Sequence, residues 1–368
     1  MAIYVSMLIL PAALMAIMKE RENRDRITLL VSFCALFIVL SIRSKYTGVD
    51  LVSYESSYEA MKDIPFSSLI HDFRFLRRGY IVGLEWGYEL FTWIFAALNV
   101  DFQWLLVAHA AICLGSAYFM IRRNSSNLVL SFVLLVSFGF FDYTYCILRQ
   151  SLSLAVLMYA AEAMKNRKPL LFILLVYAAS LFHTTALLFV LAYPLSYIPI
   201  NRKAVALFCT LSALIVVAFP FVVKPLLERF VGFTGSGSSY LNYNFEFKEM
   251  PIVVLLIAGF LMVFMNQDTT FENTDKTFFW TFMFMLPIEA ISMYMPIFSR
   301  FSTLTLFPFA SVAIPNLLET NENKKLVEVF EALIYVMAIA YYALCLHLDL
   351  RELCLTPYIT IFNKTPLL

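Results

Sequence analysis

Charged side chains are scarce in this sequence. Lysine, arginine, aspartate and glutamate together make up 14% of its 368 residues, whereas a soluble domain carries roughly 25%. Apolar residues make up 61%, and the mean hydropathy is +0.78. They are grouped in blocks of about 14 to 20 residues, close to the length that a helix needs to cross a membrane. This composition excludes a soluble fold and predicts an all-α polytopic membrane protein.

Patterns that would indicate other classes are also missing. The sequence lacks the alternating segments of about ten residues that are typical of membrane barrels. Its six cysteines show no C-x-x-C pairing, so we interpret them as small core residues. It contains no H-E-x-x-H, G-x-S-x-G, P-loop or Asp-x-Asp motif. We therefore expect no metal and no cofactor. The net charge of +1 gives no indication of a nucleic-acid partner.

The apolar blocks predict about twelve spans in a single domain covering residues 1–368. The predicted spans are 2–18, 27–42, 104–121, 128–144, 148–164, 169–182, 184–199, 204–221, 250–265, 277–295, 301–318 and 326–346. Two long polar segments, 43–87 and 222–249, interrupt the series. Residues 89–100 are too short to cross and predict a half-helix. The first span has no basic flank or cleavage site, so we interpret it as a retained helix.

Basic residues predict the orientation, because short loops rich in lysine and arginine face the cytoplasm. These loops are 19–26, 122–123, 165–168, 202–203 and 324–325. They lie on one side of the membrane if residues 88–121 cross it once. Both long polar segments and the C-terminal tail then lie outside, together with Arg149, His183 and Arg300.

A helical hairpin is predicted to bring Arg149 and His183 together. Arg149-Gln150 opens the apolar run 151–164, and His183 closes the run 169–182, with a short basic turn between them. Two antiparallel helices of similar length return the histidine to the arginine. A guanidinium group matches phosphate oxygens, and an imidazole can act as a base. The alternatives are a snorkelling arginine and a helix-capping histidine.

Further candidates lie on the same predicted face. Arg300 follows Pro296 and opens an apolar run, which repeats the layout of Arg149. Asp50 ends the turn Gly48-Val49-Asp50 and precedes an amphipathic segment that contains Tyr54. The alternative for that segment is a surface helix with its tyrosines in the membrane interface. The basic residues of the first polar segment either attract an anion or are solvated, and they are Arg74, Arg77 and Arg78.

Six short motifs follow one another along the chain. They are Tyr46-Thr47-Gly48-Val49-Asp50 with Tyr54, Glu85-Trp86-Gly87-Tyr88-Glu89-Leu90, Leu148-Arg149-Gln150-Ser151, Ala178-Ala179-Ser180-Leu181-Phe182-His183-Thr184-Thr185-Ala186-Leu187, Pro296-Ile297-Phe298-Ser299-Arg300 and Pro357-Tyr358. In order and spacing they resemble the motifs of the EpsG/Wzy family of bacterial polysaccharide polymerases, with threonine at one position where serine is usual. The resemblance extends over residues 43–360.

The resemblance implies a metal-independent membrane glycosyltransferase of GT-C-like architecture in the bacterial inner membrane. Such an enzyme transfers a growing glycan from undecaprenyl diphosphate to the terminal sugar of a lipid-linked repeat unit, at the periplasmic face. The implied partners are these lipid-linked oligosaccharides, membrane lipid and a chain-length regulator. The implied roles are diphosphate binding for Arg149 and Arg300, proton abstraction for Asp50 or His183, and substrate binding for Arg43, Tyr54, Gln150 and Tyr358. An O-antigen ligase-type transferase and a lipid-linked oligosaccharide flippase are the alternatives.

Overall fold

The computed structural model describes residues 2–18, 23–71, 84–225, 245, 247, 250–264, 271–295 and 297–363. Apart from isolated bridge residues, which include the pair Arg43 and Thr360, the regular structure of these residues is helical. The helices are α1 (Ala2–Ile17), α2 (Arg24–Ser41), α3 (Leu51–Met61), α4 (Phe66–His71), α5 (Trp86–Ala97), α6 (Phe102–Asn124), α7 (Leu128–Ser137), α8 (Phe140–Cys146), α9 (Leu148–Lys165), α10 (Pro169–Ser180), α11 (Ala192–Leu195), α12 (Arg202–Ala218), α13 (Met250–Phe264), α14 (Asn273–Met283), α15 (Met285–Ser292), α16 (Ile297–Phe301), α17 (Ala310–Leu318) and α18 (Lys324–His347).

Three of the described helices are long and apolar enough to cross a membrane. They are α6, α12 with its continuation to Val222, and α18, with 23, 21 and 24 residues. A fourth crossing results if α7 and α8, which meet at a bend of 51°, form one span. The predicted count of twelve is therefore not confirmed, although the all-helical class is.

Several predicted spans are broken where the sequence pattern indicated continuous helices. The run 184–199 folds as the 3-10 segment Thr184–Leu191 followed by α11. The run 301–318 contains the π-turn Ser302–Leu306 before α17 begins. The half-helix predicted at 89–100 is present as α5, which begins three residues earlier and has 12 residues.

Helix α9 is the central element of the site, and it packs against α6 and α10. Helices α6 and α9 run parallel. At their starts, His109 Nε2 lies 2.9 Å from Ser151 Oγ. At their ends, Asn124 donates to Glu162 at 3.3 Å. Arg149 therefore lies at one end of this pair, which we call the site end.

The opposite end of the pair is rich in basic residues, and we call it the basic end. Lys165 lies 2.9 Å from the carboxylate of Glu162 and donates to Asn124 at 2.7 Å. Arg123 approaches the same carboxylate at 3.6 Å and is largely exposed. The structure thus separates the predicted site from two of the predicted cytoplasmic loops, 122–123 and 165–168, by the length of a helix.

Some of the predictions fall on residues outside the described part of the chain, and the prediction for the cysteines is only partly correct. Arg74, Arg77, Arg78, Pro296 and most of the segment 222–249 lie outside the described residues. The interpretation of the cysteines as core residues holds for Cys113, Cys146 and Cys345, which are buried. It is wrong for Cys34 and Cys354, which are exposed.

Candidate functional site

A buried carboxylate joins the two ends of the predicted hairpin. Arg149 Nη1 donates to Glu85 Oε2 at 2.5 Å, and His183 Nδ1 lies 3.2 Å from Glu85 Oε1. The His183 contact has ion-pair distance but not the alignment of a hydrogen bond. The prediction that the hairpin returns His183 to Arg149 is confirmed. The residue between them, Glu85, had no predicted role.

The local backbone explains why the side chains of Arg149 and His183 lie beside Glu85. Arg149 lies in the first turn of α9, where the positive end of the helix dipole disfavours a cation. Glu85 supplies the opposing charge. After α10, His183 adopts an extended backbone with φ of −156°, and its N–H donates to Ala179 O at 3.1 Å. The chain thereby turns the imidazole toward the start of α9.

Gly87 allows helix α5 to approach this turn closely. Its N–H donates to Leu181 O at 2.8 Å. A Cβ atom at Gly87 would lie 2.7 Å from that oxygen and 2.8 Å from Leu181 Cβ. Only glycine fits such a contact between backbones. This explains the spacing of the E-x-G-Y motif, because Glu85 reaches His183 only when α5 packs directly on residue 181.

The three charged side chains differ in their access to solvent. Glu85 is 2% exposed, whereas the side chains of Arg149 and His183 are 20% and 21% exposed. Burial alone would raise the pKa of Glu85, but His183 and Arg149 lower it to about 2. Glu85 is therefore an anion at neutral pH that orients its partners, while Arg149 and His183 can touch a ligand.

Tyrosines of α3 and α5 line the same side of Arg149. Arg149 Nε lies 3.5 Å from Tyr54 Oη, and the rings of Tyr54 and Tyr88 are 5.4 Å apart. Burial raises the pKa of Tyr54, Arg149 opposes this effect, and Asp50 adds to it. The hydroxyl of Tyr54 thus stays neutral and available as a hydrogen-bonding group.

Gln150 connects the site to the segment that carries Arg300. Its Nε2 donates to Arg300 O at 3.0 Å and to Thr305 Oγ1 at 3.3 Å. The Arg300 side chain is exposed. Gln150 therefore positions the backbone of α16 beside the start of α9. The two predicted phosphate-binding arginines belong to segments that meet at this contact.

Asp50 lies at the start of α3 and is half-buried. Its carboxylate does not accept a capping hydrogen bond from α3. The preceding turn packs on the end of α8, since Gly48 has φ of +90° and a Cβ there would lie 2.9 Å from Cys146 Cβ. No hydrogen bond joins Asp50 to Arg149 or His183 among the described residues, so its predicted role as a base stays a prediction.

Arg43 and Tyr358 contact the end of α2. The last carbonyl groups of a helix need partners from outside it. Four donors supply them: Tyr358 Oη to Val39 O (2.8 Å), Arg43 Nη1 to Leu40 O (2.7 Å), Gln103 Nε2 to Ser41 O (2.6 Å) and Ile361 N to Ile42 O (3.0 Å). Arg43 is fully buried, and burial lowers its pKa. In this structure both residues hold helix α2, and their predicted contact with substrate stays a prediction.

The described residues contain no group of three or more histidine, cysteine, aspartate or glutamate side chains that would suit a metal ion. The arrangement at the site is instead two accessible groups, Arg149 and His183, fixed by one buried anion. A guanidinium and an imidazole held in this way suit an anionic ligand with a reacting hydroxyl nearby.

Comparison with protein families shows to which of them this chain belongs. The EpsG family matches residues 26–360. The chain belongs to the EpsG family. No curated protein and no solved structure matches it. Membership of the EpsG family indicates a membrane protein of the polysaccharide polymerase type.

The match to the EpsG family includes every residue of this site, from Asp50 to Arg300. Glu85 is the residue of this cluster that reasoning from the sequence missed. A signal was present, because Glu85 is an acid that precedes a short apolar helix. A carboxylate in apolar surroundings needs a cationic partner, and Arg149 and His183 were the unpartnered candidates.

Proposed function

We propose that this EpsG protein is a polysaccharide polymerase. It transfers a glycan from undecaprenyl diphosphate to the terminal sugar of a lipid-linked repeat unit. The observation that carries the proposal is the pairing of Arg149 and His183 on the buried anion Glu85. This arrangement presents a fixed cation and an imidazole to a diphosphate leaving group without burying an unpaired charge.

In the proposed reaction, a hydroxyl oxygen of the acceptor sugar forms a bond to the anomeric carbon of the donor. The bond from that carbon to the diphosphate oxygen breaks, and the diphosphate leaves with the electron pair. Arg149, joined by Arg300, stabilises the charge that develops on the diphosphate. The proton of the acceptor hydroxyl goes to His183 or to Asp50. With Nδ1 of His183 against Glu85, its Nε2 is left for this task.

The proposed setting is the inner membrane, with about twelve crossings, a GT-C-like arrangement and the site facing the periplasm. The charge distribution supports this orientation. The site end of α9 carries Arg149, and the basic end carries Arg123 and Lys165. The proposed partners are lipid-linked oligosaccharides, membrane lipid and a chain-length regulator.

The test is polymerisation by purified protein in detergent, given undecaprenyl-diphosphate-linked repeat units from the native host and EDTA. We expect a ladder of products from the unmodified protein. We expect Arg149→Ala to lower turnover by roughly 100-fold, as for the loss of one transition-state donor. Arg149→Lys is expected to recover only part of it, because an ammonium lacks the fork of donors.

The matched control is Arg123→Ala, which removes an arginine that also faces a glutamate, but at the basic end. Its turnover is expected to stay within about twofold of the unmodified protein, because exposed ion pairs contribute little. A folded protein that makes no ladder from its native substrate would overturn the polymerase proposal. A ladder unchanged by Arg149→Ala would remove Arg149 from the site.

A further inference from the structure

Residues 351–361, which we call the strap, run back along the segment that joins α2 to α3. Their backbone and side chains bond to the segment between α2 and α3. The contacts are Gly48 N to Cys354 O (3.1 Å), Ser44 N to Ile359 O (2.9 Å), Ile359 N to Thr47 Oγ1 (3.2 Å) and Ile361 N to Ile42 O (3.0 Å). The strap thus covers residues 42–48, and this covered segment leads directly to Asp50.

A buried ion pair fixes one end of the strap. Arg351 Nη1 donates to Asp142 Oδ2, and Arg351 Nη2 donates to Ser137 O at 2.5 Å. Tyr342 Oη donates to the other oxygen of Asp142 at 2.6 Å. Asp142 is 1% exposed. Removing one partner leaves a buried charge without compensation, so this contact strongly favours the docked strap.

The turn before Asp50 is held between the strap and α8. On one side, Gly48 donates to Cys354 O. On the other, Gly48 packs on Cys146, which is buried. Asp50 itself makes no capping bond to α3. The position of its carboxylate therefore depends on the turn, and the turn depends on the strap.

We propose that Arg351 and Asp142 are positioning residues, which hold the strap and through it the turn that carries Asp50. The role rests on the proposed polymerase reaction, with Asp50 as the group that takes the proton of the acceptor hydroxyl. Among the described residues, Arg149 makes no hydrogen bond to the strap, so binding of the donor diphosphate is expected to be independent of the strap. Loss of the ion pair between Arg351 and Asp142 should displace Asp50 and leave Arg149 in place.

Thiol labelling tests the proposal without any assay of activity. The protein is treated with a small maleimide in detergent, and mass spectrometry follows Cys146 and Cys113 separately. Both are buried, but only Cys146 lies under the turn. We expect Arg351→Ala to speed labelling of Cys146 by about tenfold or more, as for local opening, with Cys113 unchanged. Unchanged protection of Cys146 would overturn the proposal.

An isosteric variant covers the case in which Arg351→Ala exposes both cysteines through general unfolding. Thr47→Val removes the hydroxyl that accepts from Ile359 N–H and keeps the ion pair. We expect it to speed labelling of Cys146 alone, and an unchanged rate would contradict the role of the strap. Lys324→Ala is the matched control, because it breaks an exposed ion pair with Glu319 and should change neither rate.

Polymerisation kinetics then connect the strap to the reaction. We expect Arg351→Ala to lower kcat about tenfold or more through misplacement of Asp50, with the KM for the donor unchanged. Arg351→Lys should restore part of kcat. A raised KM for the donor with unchanged kcat would contradict the positioning role. A strap that passes the labelling test in a protein that makes no ladder would overturn the polymerase proposal and leave the strap in place.

Discussion

Glu85 is a single buried acid that contacts both accessible groups of the site, Arg149 and His183. Its Oε2 accepts from Arg149, and its Oε1 lies 3.2 Å from His183, so one anion serves both partners. A residue that is 2% exposed has little access to a substrate. Its contribution is to fix the directions of two groups that do have access, as supporting carboxylates do for catalytic histidines.

The pKa of Glu85 gives a prediction for stability. It lies at about 2 in the folded protein, against an ordinary value of 4.5, which corresponds to about 3 kcal/mol of folding free energy. Because the pKa is lowered on folding, this contribution is complete above about pH 4.5 and is lost as the pH falls toward 2. We expect Glu85→Gln to lower Tm by about 5 °C at pH 7, and the difference from the unmodified protein to shrink between pH 4.5 and 2.

The control for this measurement is Glu319→Gln. Glu319 also pairs with a cation, Lys324, but its side chain is 55% exposed. Exposed pairs contribute about 0 to 1 kcal/mol, so the Tm should hardly change at any pH. A Glu85→Gln protein as stable as the unmodified protein at pH 7 would show that the carboxylate is not held as an anion.

At the scale of elements, the apolar blocks predicted most helix positions, because burial and helical period act locally. The predicted run 148–164 corresponds to α9 (Leu148–Lys165), and 326–346 corresponds to α18 (Lys324–His347). The interruptions within these helices could not be predicted from the apolar blocks. The π-turn Ser302–Leu306, for example, begins at a hydroxyl that donates to the buried Glu289, and such a partner is visible only after packing.

The same limit applies to the candidate site. The short turn between two helices of similar length sufficed to place His183 near Arg149. The position of Glu85 depends instead on a contact of α5 with Leu181, which is remote in sequence. Asp142 was also missed, because it lies within an apolar run and its cation, Arg351, is 209 residues away.

Gly87 gives the prediction for helix α5. We expect Gly87→Ala to cost about 2 kcal/mol in the free energy of unfolding, because the new methyl group meets backbone atoms. Polymerisation should fall with it, since α5 carries Glu85 toward Arg149. Thermal unfolding and the ladder assay provide the two measurements.

Gly115→Ala in α6 is the matched control, because a Cβ there meets nothing within 4 Å. In a helix, alanine is favoured over glycine by up to about 1 kcal/mol, so this variant should be as stable as the unmodified protein or more so. Equal behaviour of the two variants would show that the contact between Gly87 and Leu181 does not matter.

For the whole molecule, the separation of the site end from the basic end predicts a topology. Cys354 is exposed and lies in the strap at the site end. In intact cells we expect a membrane-impermeant maleimide to label it from outside. A cysteine introduced as Lys324→Cys, in a Cys354→Ser background, lies at the other end of α18 and should react only after permeabilisation. The reverse pattern would contradict a periplasmic site.

The strap also has a consequence for biosynthesis. The bond from Tyr358 to Val39 joins residues 319 positions apart, and loops of this length close late. While a ribosome is still adding residues 351–361, the earlier helices can already be in the bilayer. The turn before Asp50 then still lacks its hydrogen bonds to the strap. A chain at that stage has the helices of the site without the hydrogen bonds that hold this turn. In the proposed polymerase, the turn before Asp50 therefore takes its position only after residues 351–361 have been added.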